Sequence, residues 1–152
     1  MTSLLYDIAE KLKAVIEREV PGYRVILAAA PVITNRDFPD PTVIIIPYGF
    51  PQTELLDRNL DVCSVEIELM VGLVKYELGE WNGTQTVDTL VKVMEQVAIA
   101  VFDHDFQEDG VYFKEMQWEE TYDINKLVDS NTFSSSLSVV YMATLERAGH
   151  GH

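Results

Sequence analysis

The stretch DVCSVEIELMVGLVKY, Asp61 to Tyr76, decides the fold. Cys63, Val65, Ile67, Leu69, Val71 and Leu73 fall on one side of a two-residue alternation. Ser64, Glu66, Glu68, Met70, Gly72 and Val74 fall on the other. A period of two is the mark of a half-buried strand. At roughly 3.3 Å per residue the run reaches on the order of 50 Å. A compact domain of this length is only about 40 Å across. The strand is therefore expected to bend or to overhang its own globule. An overhang exposes unpaired backbone, which needs a partner chain.

On the N-terminal side, Leu5, Ile8, Leu12, Val15 and Ile16 recur at three- and four-residue spacing and predict an amphipathic helix. Thr2 or Ser3 can cap it, and Pro21-Gly22 ends it. A short strand is expected over Tyr23–Ala29, then a loop through Pro31, Pro39 and Pro41. The unbroken apolar run Thr42–Ile46 suits a strand buried on both faces and closed by Pro47. Pro47 to Asn59 reads as an irregular loop that carries Tyr48, Phe50, Leu55 and Leu56. Large apolar groups in a loop either tuck under the domain or await a partner.

On the C-terminal side, Gly79–Gly83 reads as a turn bearing Trp81. A second helix is predicted over Thr86–Phe102, with Val87, Leu90, Val91, Met94, Val97, Ala98 and Val101 on its buried side. Asp103–Gly110 is an acidic loop. Strands follow over Val111–Tyr122 and Thr132–Arg147. In the last of these, Phe133, Leu137, Val139, Tyr141, Ala143 and Leu145 alternate with serines and other residues. The expected fold is α+β in two layers: a mainly antiparallel sheet of about five strands, two helices on one face, and a long β-hairpin projecting. Glu66, Glu68, Ser134, Ser136 and Ser138 on the other face suit water, whereas Val74, Trp118 and Met142 suit contact. Residues 1–148 are expected to form one domain, and 149–152 a disordered tail.

Composition narrows the functions. The 152 residues carry a net charge of −14, with an apolar fraction of 47%. Residues 1–76 hold seven basic and eleven acidic side chains; residues 77–152 hold four and fourteen. Such a chain lacks the basic footprint of ordinary nucleic-acid recognition. No apolar run reaches the ~18 residues of a membrane helix, and the acidic N-terminus does not read as a signal peptide. The lone Cys63 lies on the apolar side of the long strand and reads as a buried structural thiol.

The residues carry no sharp catalytic signature. Asp103-His104-Asp105, with Glu108 and Asp109, offers metal ligands, but three consecutive residues lack the spacing that aims them at one point. His150 and His152 sit in a glycine-spaced tail. There is no nucleophile elbow and no phosphate-cradling glycine loop. Adjacent Glu119 and Glu120 on a strand are expected to point to opposite faces. The residues therefore argue against an enzyme and name no cofactor. The remaining catalytic or metal-binding alternative rests on His104.

The layout resembles the tail-terminator and tail-completion proteins of long-tailed bacteriophages, a group that includes head–tail joining proteins. The resemblance lies in order and spacing over nearly the whole chain. A helix, Leu4 to Val20, ends at Pro21-Gly22-Tyr23. Pro41-Thr42-Val43-Ile44-Ile45-Ile46-Pro47 leads into a loop closing on Asp57-Arg58-Asn59. The long strand ends in Val74-Lys75-Tyr76, a helix covers Val87 to Phe102, and Asn131–Leu137 opens the last strand.

The resemblance implies a virion protein assembled in the host cytoplasm. It implies a ring, commonly of six copies, that caps the tail tube and offers a surface to the head connector. DNA would pass through without specific binding, and an acidic lumen would suit that passage. Another neck component, a connector or adaptor, is the alternative. On this reading Tyr48, Phe50, Leu55, Leu56, Val74, Tyr76 and Trp81 supply subunit or tail contacts. Arg58 is expected to form an ion pair with an acid inside or between subunits.

Overall fold

The computed structural model describes residues 3–29, 40–51, 53–57, 62–79 and 84–146. The tail 149–152 lies outside them. Ten elements follow in order: α1 (Leu4–Glu19), β1 (Arg24–Leu27), β2 (Thr42–Gly49), β3 (Thr53–Asp57), β4 (Val62–Lys75), α2 (Gln85–Asp103), a 3-10 turn (Gln107–Asp109), β5 (Tyr112–Glu120), α3 (Ile124–Ser130) and β6 (Phe133–Glu146). One sheet runs β1-β2-β4-β6-β5, with β3 also paired to β4. Among the described residues only β1–β2 is parallel. The fold is thus α+β with a mixed, mainly antiparallel sheet.

α1 begins where Ser3 accepts a hydrogen bond from the Tyr6 N–H at 3.2 Å. That satisfies one of the first-turn donors a helix leaves open. Ile8, Ala9, Leu12, Val15 and Ile16 are buried, as their spacing predicts. Gly22, with φ of +94°, takes the chain away from the helix in a conformation that glycine adopts without strain. α2 buries Leu90, Met94, Val97 and Val101 along one stripe. α1 lies on β1 and β2, while α2 lies on β6 and β4. Between helices and sheet sit Ile67, Leu69, Val71, Leu73, Phe133, Leu137, Val139 and Tyr141, each buried. Truncating such a residue, Leu12→Ala or Leu69→Ala, is worth about 2–5 kcal/mol.

β4 pairs with β6 from Val62↔Glu146 to Lys75↔Phe133, fourteen residues on each strand. Its other edge is occupied by β2 and, at the far end, by β3. This corrects the expectation of unpaired backbone on the long strand: its complement is in the same chain. The long ribbon exists, but β4 and β6 are joined through α2, β5 and α3 and are not a hairpin in sequence.

Two further differences have local causes. β2 continues through Pro47 to Gly49, and β3 lies inside the stretch read as a loop. Pro47 stays in register opposite Leu69, and the bulge before Gly49 inserts Tyr48 as the extra residue. α3 was hidden by its brevity. Asp123 caps it by accepting from the Lys126 N–H at 3.1 Å, and Asn131 closes it in the left-handed region at φ +51°.

Candidate functional site

The sheet has a helix-covered face and an open face. Opposite residues in a ladder share a face, so Arg24, Ile26, Ile44, Ile46, Glu66, Glu68, Met70, Val74, Ser136, Ser138, Val140 and Met142 lie on the open one. Ile44, Ile46 and Val140 are nevertheless buried. Thr42–Ile46 is therefore covered on both sides, as its unbroken apolar run predicts.

Glu66 departs from expectation. Its place in the alternation suits water, yet it is buried and ion-paired with Lys114 of β5. The Glu66 carboxylate holds the Lys114 ammonium above its ordinary value, chiefly through that hydrogen bond. Lys114 reaches the open face because β5 bulges between Phe113 and Glu115. The same bulge changes the alternation downstream. Tyr112 faces the open side opposite Met142, but Met116 and Trp118 lie opposite Val139 and Leu137 on the helix side. Trp118 is thus not an open-face residue. A second bulge follows Trp118. Glu120 stands opposite Ser136, while Glu119 lines a shallow open-face hollow of about 150 Å³ with Tyr48, Glu68, Met70 and Ser138. The two glutamates therefore share a face.

The predicted contact residues are not gathered in one place. Tyr48 is 62% exposed at the end of β2, and Phe50 is exposed just beyond it. Val74 is half-buried opposite Thr42, at the other end of the β2–β4 ladder. Six residues of strand separate Thr42 from Tyr48, about 20 Å. Tyr76 follows β4, half-buried, and its burial raises the phenol above its ordinary value. Leu55 and Leu56 fall on β3. Their side chains, with Arg58 and Trp81, lie outside what the structure describes.

Sequence reading missed another exposed apolar set: Ile99 and Phe102 on α2, Tyr112 on β5, and Ile124 and Val128 on α3. Ile99 and Phe102 fall outside the main α2 stripe at three-residue spacing, a signal that was present. Phe102 meets Phe113 edge to face at 5.7 Å, and Phe113 meets Tyr141 at 6.1 Å.

The polar groups do not converge on chemistry. His104 donates from Nδ1–H to the Ala100 carbonyl at 2.8 Å, and its Nε2 lies 3.4 Å from Glu19. This ties the end of α2 to the end of α1. Among the described residues no group of three or more His, Cys, Asp or Glu could hold a metal ion. Asp109 instead joins Lys11 at 2.8 Å, and Asp7 joins the same ammonium at 3.1 Å. Tyr141 is fully buried, and burial raises its phenol well above the ordinary value. Its hydroxyl has no partner among the described residues. A hollow of about 350 Å³ beside the start of α2 is lined by Pro41, Lys75, Leu78, Gln85, Thr86, Thr89 and Leu90. No described helix is long and apolar enough to cross a membrane.

No family model and no curated protein matches this chain. Among solved structures it is similar to a sheath/tube terminator, in the extended state, of the extracellular contractile injection system PVC. The TM-score is 0.47 and the identity 16%, over 99% of this chain and 60% of that one. The chain thus spans 60% of that terminator's length.

Proposed function

We propose that this protein is a structural component of a long-tailed phage or phage-like particle. In this reading it is a tail terminator that closes into a ring, commonly of six copies, on the end of the tail tube. The ring presents a docking surface to a head connector, and DNA passes through its centre.

The observation that carries the reading is the exposure of Tyr48, Phe50, Ile99, Phe102, Tyr112, Ile124 and Val128 on one small chain. Exposed apolar surface of that kind marks interfaces. The order of elements, with its long strand between two helices, supports the same class. The open face carries Glu68, Glu115, Glu119 and Glu120 around Lys114, which is ion-paired with Glu66. In the ring this face lines the channel, where like charge keeps DNA from adhering. Tyr48, Phe50, Leu55, Leu56 and Arg58 serve tail or subunit contacts.

Electron microscopy of the purified protein, alone and mixed with tail tubes from the same particle, tests this. Closed rings, and rings seated on tube ends, are expected. A protein that stays monomeric when concentrated and ignores tube ends overturns the reading. Binding to the head connector but not to tubes reassigns it as another neck component.

A further inference from the structure

The two long helices meet at His104. This residue follows the last residue of α2, and its Nδ1–H donates to the Ala100 carbonyl, one turn back, at 2.8 Å. Its Nε2 faces a carboxylate oxygen of Glu19, the last residue of α1, at 3.4 Å. Both oxygens are acceptors: a carbonyl cannot donate, and neither can an ionised carboxylate. A neutral imidazole has one N–H. With that proton on Nδ1, where Ala100 requires it, the Nε2 lone pair is turned on an anion. Only the imidazolium offers a proton to each oxygen. The dipole of α2 also favours a cation at this end of the helix.

We infer that His104 is a proton-operated clasp between the ends of α1 and α2. Charged, the ring ties Glu19 to the end of α2. On losing the Nε2 proton it keeps its bond to Ala100 and releases Glu19. The released carboxylate has another partner in place, because Arg18 Nε–H donates to the same Glu19 oxygen at 3.1 Å. The clasp thus has two arrangements: Glu19 shared between His104 and Arg18, or held by Arg18 alone. On the α2 side the charged neighbours are Asp103 and Asp105, which flank His104 in sequence, and Gln107 donates to Asp105 at 2.9 Å. A second charged link leaves α1 for the chain beyond α2, from Lys11 to Asp109 at 2.8 Å. Lysine does not ordinarily titrate between pH 5 and 8 and histidine does, so of the two links the His104 pair responds there. What the clasp anchors is the last turn of α2. Phe102 in that turn is exposed and rests edge to face on Phe113 of β5 at 5.7 Å. The hold on this apolar turn is therefore graded by pH.

Amide hydrogen exchange of the full chain at pH 5.5 and pH 8, corrected for the intrinsic pH dependence, tests the inference. At the lower pH ordinary histidines are charged and glutamates are still ionised. The His104 and Glu19 side chains are 30% and 41% exposed, so solvent screens the pair and the effect is modest. Protection in the last turns of α1 and α2 is expected to fall about two- to threefold from pH 5.5 to pH 8, while the helix middles hold. His104→Gln and Glu19→Gln are each expected to abolish that difference, with circular dichroism unchanged. Nitrogen-15 spectra of the ring need no variant: Nδ1 is expected to carry a proton at both pH values, and Nε2 only at pH 5.5. Equal protection at the two pH values in the unaltered protein overturns the clasp. So does the same fall in both variants, or a ring whose one proton sits on Nε2 at pH 8.

Discussion

Gly72 approaches the neighbouring strand so closely that a Cβ on it would stand 2.9 Å from the Ser135 carbonyl oxygen. That distance is below any real Cβ contact, and the obstacle is backbone, which cannot swing aside as a side chain can. The glycine lies mid-ladder in the β4–β6 pair. Gly72→Ala is therefore expected to push the two longest strands apart locally and to cost about 1–3 kcal/mol. Urea unfolding measures it; an unchanged midpoint would show that the strands accommodate a methyl group.

Tyr141 makes the opposite case. Its ring packs against Phe106 and Phe113, while its hydroxyl is buried without a partner among the described residues. Such a group costs about 1–3 kcal/mol in lost hydration. Tyr141→Phe keeps the ring contacts and is expected to leave stability unchanged or raise it by about 1 kcal/mol. Tyr141→Ala removes the ring and is expected to cost about 3–5 kcal/mol. Denaturant titration of both variants separates the two roles of the side chain.

Asp123 holds the start of α3 through the Lys126 N–H. Asp123→Ala is expected to cost about 1 kcal/mol, and Asp123→Asn much less, because asparagine also caps. Hydrogen exchange should show the loss concentrated in residues 124–130. Uniform loss across the sheet would contradict a local cap.

The Lys11 ammonium is raised above its ordinary value of 10.5, first by its hydrogen bond to Asp109 and then by Asp7, against a lowering by burial. A cation raised on folding stabilises the native state fully below the unfolded value. The contribution is then lost as pH climbs through the folded value. About a third of the Lys11 side chain is exposed, so solvent screens the pair, and its worth is a few tenths of a kcal/mol. The stability difference between the unaltered protein and Lys11→Met should be constant from pH 7 to 9 and shrink above pH 10.5. A difference that grows with alkali would rule out this ion pair as its source.

Much of the fold was legible because periodicity is a local property. The alternation through Val65–Leu73 shows which residues face the helices without any knowledge of neighbours. The stripes of α1 and α2 do the same, and the unbroken Thr42–Ile46 run announces two covered faces. The candidate contact surface was less legible. Tyr48 and Phe50 are exposed as expected. Ile99, Phe102, Phe113 and Trp118 come from separate elements, so no window of sequence contains them together.

Chain order and alternation alone determined that this protein is an α+β sheet with helices on one side and one very long strand. Tertiary structure alone decided which strand accepts the backbone of β4, and that it belongs to the same chain. It also decided that Glu66 is buried beneath Lys114 and that Trp118 faces the helices. Those outcomes depend on ladder register and on single inserted residues at bulges. One extra residue reverses every face that follows it, while leaving the local composition that a sequence reader sees unchanged.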